Sequence, residues 1–214
     1  MSAKTLIAAL IAPLLLSACV KLLPEPAEPP RLYPLEAGEV HALAPARGTM
    51  IAAVAAPSGP EAMMGDNIVW RRDGEIAFMS GAAWAGRAPD LLQAMLAETI
   101  TRQARLAVGV RMGDGLRGDV EVRWDIIAFE IVEEGGALDA RFAAHVRVQQ
   151  TAGRSLLGAD IIDIREPLSQ RSGSAAANAL ARAAREGSAR IGVMAAEAAD
   201  RLQADQASAE STNR

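Results

Sequence analysis

A chain of 214 residues, half of them apolar and 22% charged, is long and apolar enough to bury a core, which excludes wholesale disorder. Its formal net charge of −4 argues against nucleic acid as a partner. It has a single cysteine, so no intrachain disulfide can form and the fold must rest on packing.

The first element is a leader. Lys4 is the only charge ahead of an apolar run from Leu6 to Leu16, which is too short to span a bilayer and reads as a secretory signal over residues 1–18. The run closes on Leu16-Ser17-Ala18-Cys19, and small residues directly before a cysteine resemble the lipobox of bacterial lipoproteins. That resemblance implies diacylglyceryl transfer to Cys19, cleavage before it and N-acylation of the new terminus. Several chains are needed because one holds only marginally, at about 0.8 kcal/mol per buried methylene. Residues 19–48 then form the lipidated terminus and a tether. Pro24, Pro26, Pro29, Pro30 and Pro34 favour extended geometry at about 3.1 Å per residue, a reach of roughly 30 Å that a disordered leader would match. Tyr33-Pro34-Leu35 is the first place where the tether can touch the domain.

The folded region is expected from Thr49, with a buried strand over Thr49–Ala55 stopped by Pro57-Ser58-Gly59-Pro60. Asn67–Arg71 and Glu75–Met79 flank Asp73-Gly74, a strong hairpin signal because the turn needs positive φ. Pro89 and Asp90 suit the first turn of a helix that ends near Arg105. Leu92, Met95, Leu96, Thr99, Ile100 and Gln103 share its buried face.

A strand-rich half follows. Leu106–Val110 reads as a short strand, and Val120, Val122, Trp124 and Ile126 alternate before the apolar phase moves to Ile127, Phe129 and Ile131, which indicates a bulge near Ile126. Leu138 to Val148 alternates cleanly with polar residues, and Ser155–Arg165 gives one more antiparallel strand. A last helix spans about Ser174–Ala204, with Gly187 and Gly192 expected to weaken or bend its middle. Two main helices and about six strands without a β-α-β rhythm give an α+β fold, a largely antiparallel sheet with the helices packed on it. That single domain occupies residues 49–204, and 205–214 reads as a disordered tail.

No pattern of catalytic residues emerges. Gly113, Gly115 and Gly118 match a phosphate-binding spacing, but an alternating strand follows where a helix N-terminus would be required. His41 and His145 have no nucleophile or carboxylate pattern beside them, and Asp160 and Asp163 point to opposite faces of a strand. No metal-binding motif is present.

Lipobox, proline tether, hairpin residues Ile68, Trp70 and Arg71, then Trp84, Pro89 and Leu91-Leu92-Gln93 make a series that resembles the ABC-type transport auxiliary lipoprotein family, which includes the PqiC-type subunits. Trp70 stands where that family commonly carries Tyr, and Trp84 to Pro89 is one residue longer than the commonest spacing. The resemblance implies a non-enzymatic partner of MCE-domain systems that move phospholipids between membranes. It would reach the ABC permease and ATPase through an MCE-domain protein, with no cofactor or metal beyond the lipid on Cys19. Self-association is left open. Val20 after the cysteine resembles outer-membrane lipoproteins and implies the periplasmic face of that membrane, with the inner membrane as the alternative. An envelope lipoprotein unconnected to transport, or a periplasmic hydrolase, are the competing classes. Partner recognition is expected at Ile68, Trp70 and Trp84 rimmed by Arg71, Arg72 and Arg87, an apolar centre with a charged border. Trp84 reads equally as a plug beneath the helix, and the arginines as plain solvated charge.

Overall fold

The computed structural model describes residues 28–43 and 49–212; the leader, Leu16-Ser17-Ala18-Cys19 and the start of the tether lie outside them. In chain order the elements are β1 (Arg31–Tyr33), β2 (Ile51–Val54), a 3-10 turn (Glu61–Met63), β3 (Asn67–Arg72), β4 (Glu75–Trp84), α1 (Ala88–Gln103), β5 (Val108–Arg111), β6 (Val120–Glu134), β7 (Ala137–Gln150), β8 (Leu156–Pro167) and α2 (Gly173–Thr212). The α+β class holds, with eight strands among the described residues rather than about six. Most of the pairing is antiparallel, in the β6-β7-β8 meander and the β3-β4 hairpin. Short parallel pairings link β1 to β4, β2 to β5 and both β2 and β3 to β6.

Alternation explains why β6 is central. Val120, Val122, Trp124 and Ile126 face the helices; the register then slips between Ile126 and Ala128, and Phe129 and Ile131 take over the same face. The expected bulge is therefore present, and it moves the buried phase from even to odd positions. One edge of β6 pairs with β7 along its length, while the other seats β2 at Val120–Val122 and β3 at Glu130–Glu133. Between them the backbone is satisfied by a loop: Ile126 N–H donates to the Ser58 carbonyl at 2.7 Å, and Phe129 N–H to Met63 Sδ at 3.3 Å.

Both helices cover one face of the sheet. The predicted stripe of α1 is buried, and the Gln93 amide donates to the Val54 carbonyl at 2.9 Å, fixing α1 over β2. Aromatic rings run beneath, with Trp84 stacked on Phe129 at 5.3 Å, Phe129 edge-on to Phe142 at 6.3 Å and Trp124 tilted against Phe142 at 6.3 Å. Each such side chain contributes about 1.5–3 kcal/mol on burial.

Two expectations are corrected. The fold starts before Thr49: β1 lies within the stretch assigned to the tether, Leu35 and Ala37 are buried, and Arg185 and Arg102 donate to the carbonyls of Glu36 and Gly38. The helix continues through Thr212, where a disordered tail was expected from residue 205. Gly187 and Gly192 lie inside a continuous helix because neighbours come too close for a side chain. A Cβ at Gly187 would lie 2.3 Å from the Phe142 ring, and one at Gly192 would lie 2.0 Å from the Gln103 amide oxygen.

Gly187→Ala therefore tests the packing directly. Helix propensity alone would favour Ala by about 1 kcal/mol, whereas overpacking a core ring costs about 1–3 kcal/mol. The expected outcome is a net loss of about 1 kcal/mol, or roughly 2–4 °C in Tm, in calorimetry; a rise in Tm would mean that α2 does not sit down on Phe142.

Candidate functional site

The hairpin is built around its turn. Asp73 and Gly74 both have positive φ (49° and 85°), the two-residue geometry that matches strand twist. Arg72 and Glu75 close it, and β3 lies inside, against β6, with β4 outside. Residues that close such a turn exchange hydrogen bonds, so Glu75 and Ala77 turn their backbone groups toward β3. Ile76 and Phe78 turn theirs outward. Among the described residues only β1 pairs with that outer edge, at Ala82, Ala83 and Trp84, leaving Glu75–Gly81 unpaired there. The side chains of Ile76 and Phe78 are 48% and 53% exposed. Trp70, Ala77 and Met79 continue the apolar surface along this edge, lining a shallow hollow of about 370 Å³.

Charge anchors the hairpin instead of decorating it. Arg71 donates through Nε and Nη2 to the two oxygens of Glu130 at 2.9 and 2.8 Å, and Glu130 is 2% exposed. That hydrogen bond holds the Arg71 pKa above its ordinary value against the pull of burial. Arg72 reaches Glu133 at 2.8 Å, Arg171 bonds the other oxygen of the same carboxylate, and the Arg72 guanidinium lies 5.7 Å over the Trp70 ring. Burial alone would raise the Glu133 carboxyl, but the bond from Arg72 and the charges of Arg171 and Arg72 hold it low. Asp163 is held low first by its bond from Arg141. A depressed carboxyl stabilises the fold above the ordinary carboxylate pKa of about 4, and this is lost as pH falls through the depressed value.

The six hairpin and helix residues singled out from sequence do not form one surface. Ile68 and Trp84 are core, so of the two readings left open for Trp84 the structure has the plug. Trp70 is half-buried, Arg71 and Arg72 are ion-paired, and Arg87 is exposed at the N-cap of α1. Arg71 and Arg72 have carboxylate partners on β6, far away in sequence, so neither is a plain solvated charge. Ile76 and Phe78 were legible only as strand residues; the available signal was an alternating pair after the Asp-Gly turn with no later segment to cover it.

The remaining candidates are structural. Gly113 and Gly115 have positive φ, and Gly118 lies against β2, where a Cβ would be 2.7 Å from the Ala53 nitrogen; strand β6 follows, not a helix. His145 lies across from Asp125 in the β6-β7 register, on the exposed face. Asp125 is engaged by the Ser58 hydroxyl and by Arg147 at 2.6 Å. The Ser58 hydroxyl is thus held by Asp125, which Arg147 also engages, and no bond joins it to His145 among the described residues. Among the described residues no group of His, Cys, Asp and Glu is placed to hold a metal.

A family model described as ABC-type transport auxiliary lipoprotein component matches residues 33–192. Among solved structures, protein XCC0632 from Xanthomonas campestris is similar, at 18% identity and a TM-score of 0.71, over 81% of this chain and 96% of its own. A second, an uncharacterized protein, aligns at 14% identity and a TM-score of 0.61, over 77% and 97%. At these identities the two support the fold alone. No curated protein matches the chain.

The ion pair beneath the hairpin gives the next prediction. Arg71→Met leaves Glu130 buried without its bidentate donor, at a cost of about 1–3 kcal/mol, while Arg71→Met with Glu130→Met recovers most of it. Urea melts of the three proteins check this. Wild-type stability in Arg71→Met would mean that Glu130 is solvated.

Proposed function

Since the matched family model spans most of the chain, the protein belongs to the ABC-type transport auxiliary lipoprotein component family, and we propose that it is a lipid-anchored accessory subunit of an MCE-type ABC transporter. In this reading it serves intermembrane phospholipid transport and envelope integrity by docking and tethering, without catalysis. Family membership supports the transport role. The observation that carries the docking reading is the open β4 edge, where unpaired backbone groups and two exposed apolar side chains coincide. Native proteins usually blunt such edges with lysine, proline or a covering loop, so a bare apolar one marks a contact surface.

Attachment falls to the lipid on Cys19. No helix among the described residues is long and apolar enough to cross a membrane. The proposed location is the periplasmic face of the outer membrane, with the MCE-domain protein as direct partner and the permease and ATPase reached through it. Stitching of residues 31–43 onto β4, α1 and α2 supports the tethering half, because a pull on the anchor would be delivered to the core and not to a loose terminus.

The test uses the full-length chain in its own membranes. Phe78→Lys places a charge on an exposed side chain, so its stability should change by less than about 0.5 kcal/mol. Capture of the MCE-domain protein should nonetheless fall at least tenfold, and Cys19→Ala should move the chain to the soluble periplasmic fraction. Unchanged capture by folded Phe78→Lys places the contact elsewhere; absence of any MCE-domain protein or ABC permease from the wild-type capture removes the transport reading in this form.

A further inference from the structure

The end of β6 away from the hairpin carries a second site. There the β5-β6 loop, the β7-β8 turn and the C-terminal part of α2 enclose a hollow of about 220 Å³, with Arg117, Asp119, Gln150, Thr151, Leu202 and Gln206 in its walls. Backbone bonds pin its frame: Thr151 N–H donates to the Asp119 carbonyl at 3.0 Å, and Asp119 N–H to the Ile51 carbonyl at 2.8 Å.

Three polar groups in these walls are left with bonding capacity to spare. Arg117 is exposed and has no ion-pair or hydrogen-bond partner among the described residues, whereas Arg111, in the same connection, is paired with Asp114 at 3.1 Å. Asp119 accepts the Ile51 N–H at 2.8 Å through one carboxylate oxygen only. The Thr151 hydroxyl oxygen is buried without a partner among the described residues, which costs stability until a bonding group enters the hollow. Arg117 and Asp119 line one hollow and yet do not pair with each other. A bare anion placed there is repelled by Asp119 and a bare amine by Arg117, while a zwitterion meets both charges. The planar guanidinium fork, with a hydroxyl beside it, suits phosphate oxygens.

We propose that the hollow holds a phosphodiester with an ammonium beside it, the headgroup chemistry of a phosphoethanolamine lipid. Arg117 and Thr151 take the phosphate and the free Asp119 oxygen takes the ammonium. This rests on the transport reading and names a substrate class for it. Leu202 supplies an apolar wall for the glycerol carbons, and the volume admits the headgroup while the acyl chains stay outside.

Three soluble probes test this on the full-length chain in detergent micelles: glycerophosphoethanolamine, glycerophosphoglycerol and inorganic phosphate, each titrated by calorimetry. Glycerophosphoethanolamine should bind at least tenfold more tightly than the other two, because it alone carries both charges. Arg117→Gln and Thr151→Val should each weaken it at least tenfold with an unchanged Tm. Asp119→Asn keeps an oxygen for the Ile51 N–H and should erase the preference over glycerophosphoglycerol while phosphodiester binding remains. Absence of glycerophosphoethanolamine binding would overturn the site, as would wild-type affinity in folded Arg117→Gln. Equal affinity for inorganic phosphate would make it a free-phosphate site and would overturn the headgroup. Capture of the MCE-domain protein by these variants should stay at the wild-type level, so failure of the headgroup site and failure of the transport reading give separate results.

Discussion

A fifteen-residue strand must find partners along both edges, and β6 meets that requirement in a way that dictates the rest of the molecule. One edge is filled by β7. No single strand fills the other: β2 takes the first part, β3 the last, and the loop through Ser58 and Met63 supplies donors and acceptors between them. The bulge at Ile127 allows both halves to point large side chains at the helices. Trp124 and Phe129 on either side of it meet around Phe142, and α2 can lie over that ring only because residue 187 is glycine.

The same requirement leaves the hairpin exposed. With β3 committed to β6, β4 becomes an outer strand, and among the described residues β1 covers only its last three. The hairpin is held from beneath by Arg71 on Glu130 and Arg72 on Glu133, so its outer edge is presented by a fixed support. The charge goes into rigidity, and what the outer edge of β4 leaves exposed is apolar.

Local pattern carried much of this. Alternation marked β6 and β7 together with the bulge, Asp73-Gly74 marked the hairpin, and the 3.6-residue stripe marked the buried face of α1. Long-range choices were not written locally. Nothing in Arg31-Leu32-Tyr33 announces a strand, because its pairing depends on where β4 ends. Arg71 and Arg72 look like solvated charge until Glu130 and Glu133, about sixty residues away, are brought beside them. Gly187 and Gly192 read as helix breakers because the neighbours that require them, Phe142 and Gln103, belong to other elements. Of the hairpin residues singled out from sequence, Ile68 is core, while Ile76 and Phe78 are the exposed ones: periodicity shows which residues alternate, whereas their exposure follows from which edge of β4 goes unpaired among the described residues.

The central claim is that the outward backbone of β4 is an assembly surface, and amide hydrogen exchange resolved to single residues tests it most directly. In the isolated chain the Ile76 and Phe78 amides should exchange rapidly, while Ala77, bonded to β3, stays protected. In membranes carrying the assembled protein, Ile76 and Phe78 should slow by at least tenfold with Ala77 unchanged. Exchange at Ile76 and Phe78 that is equally fast in both preparations would contradict the account.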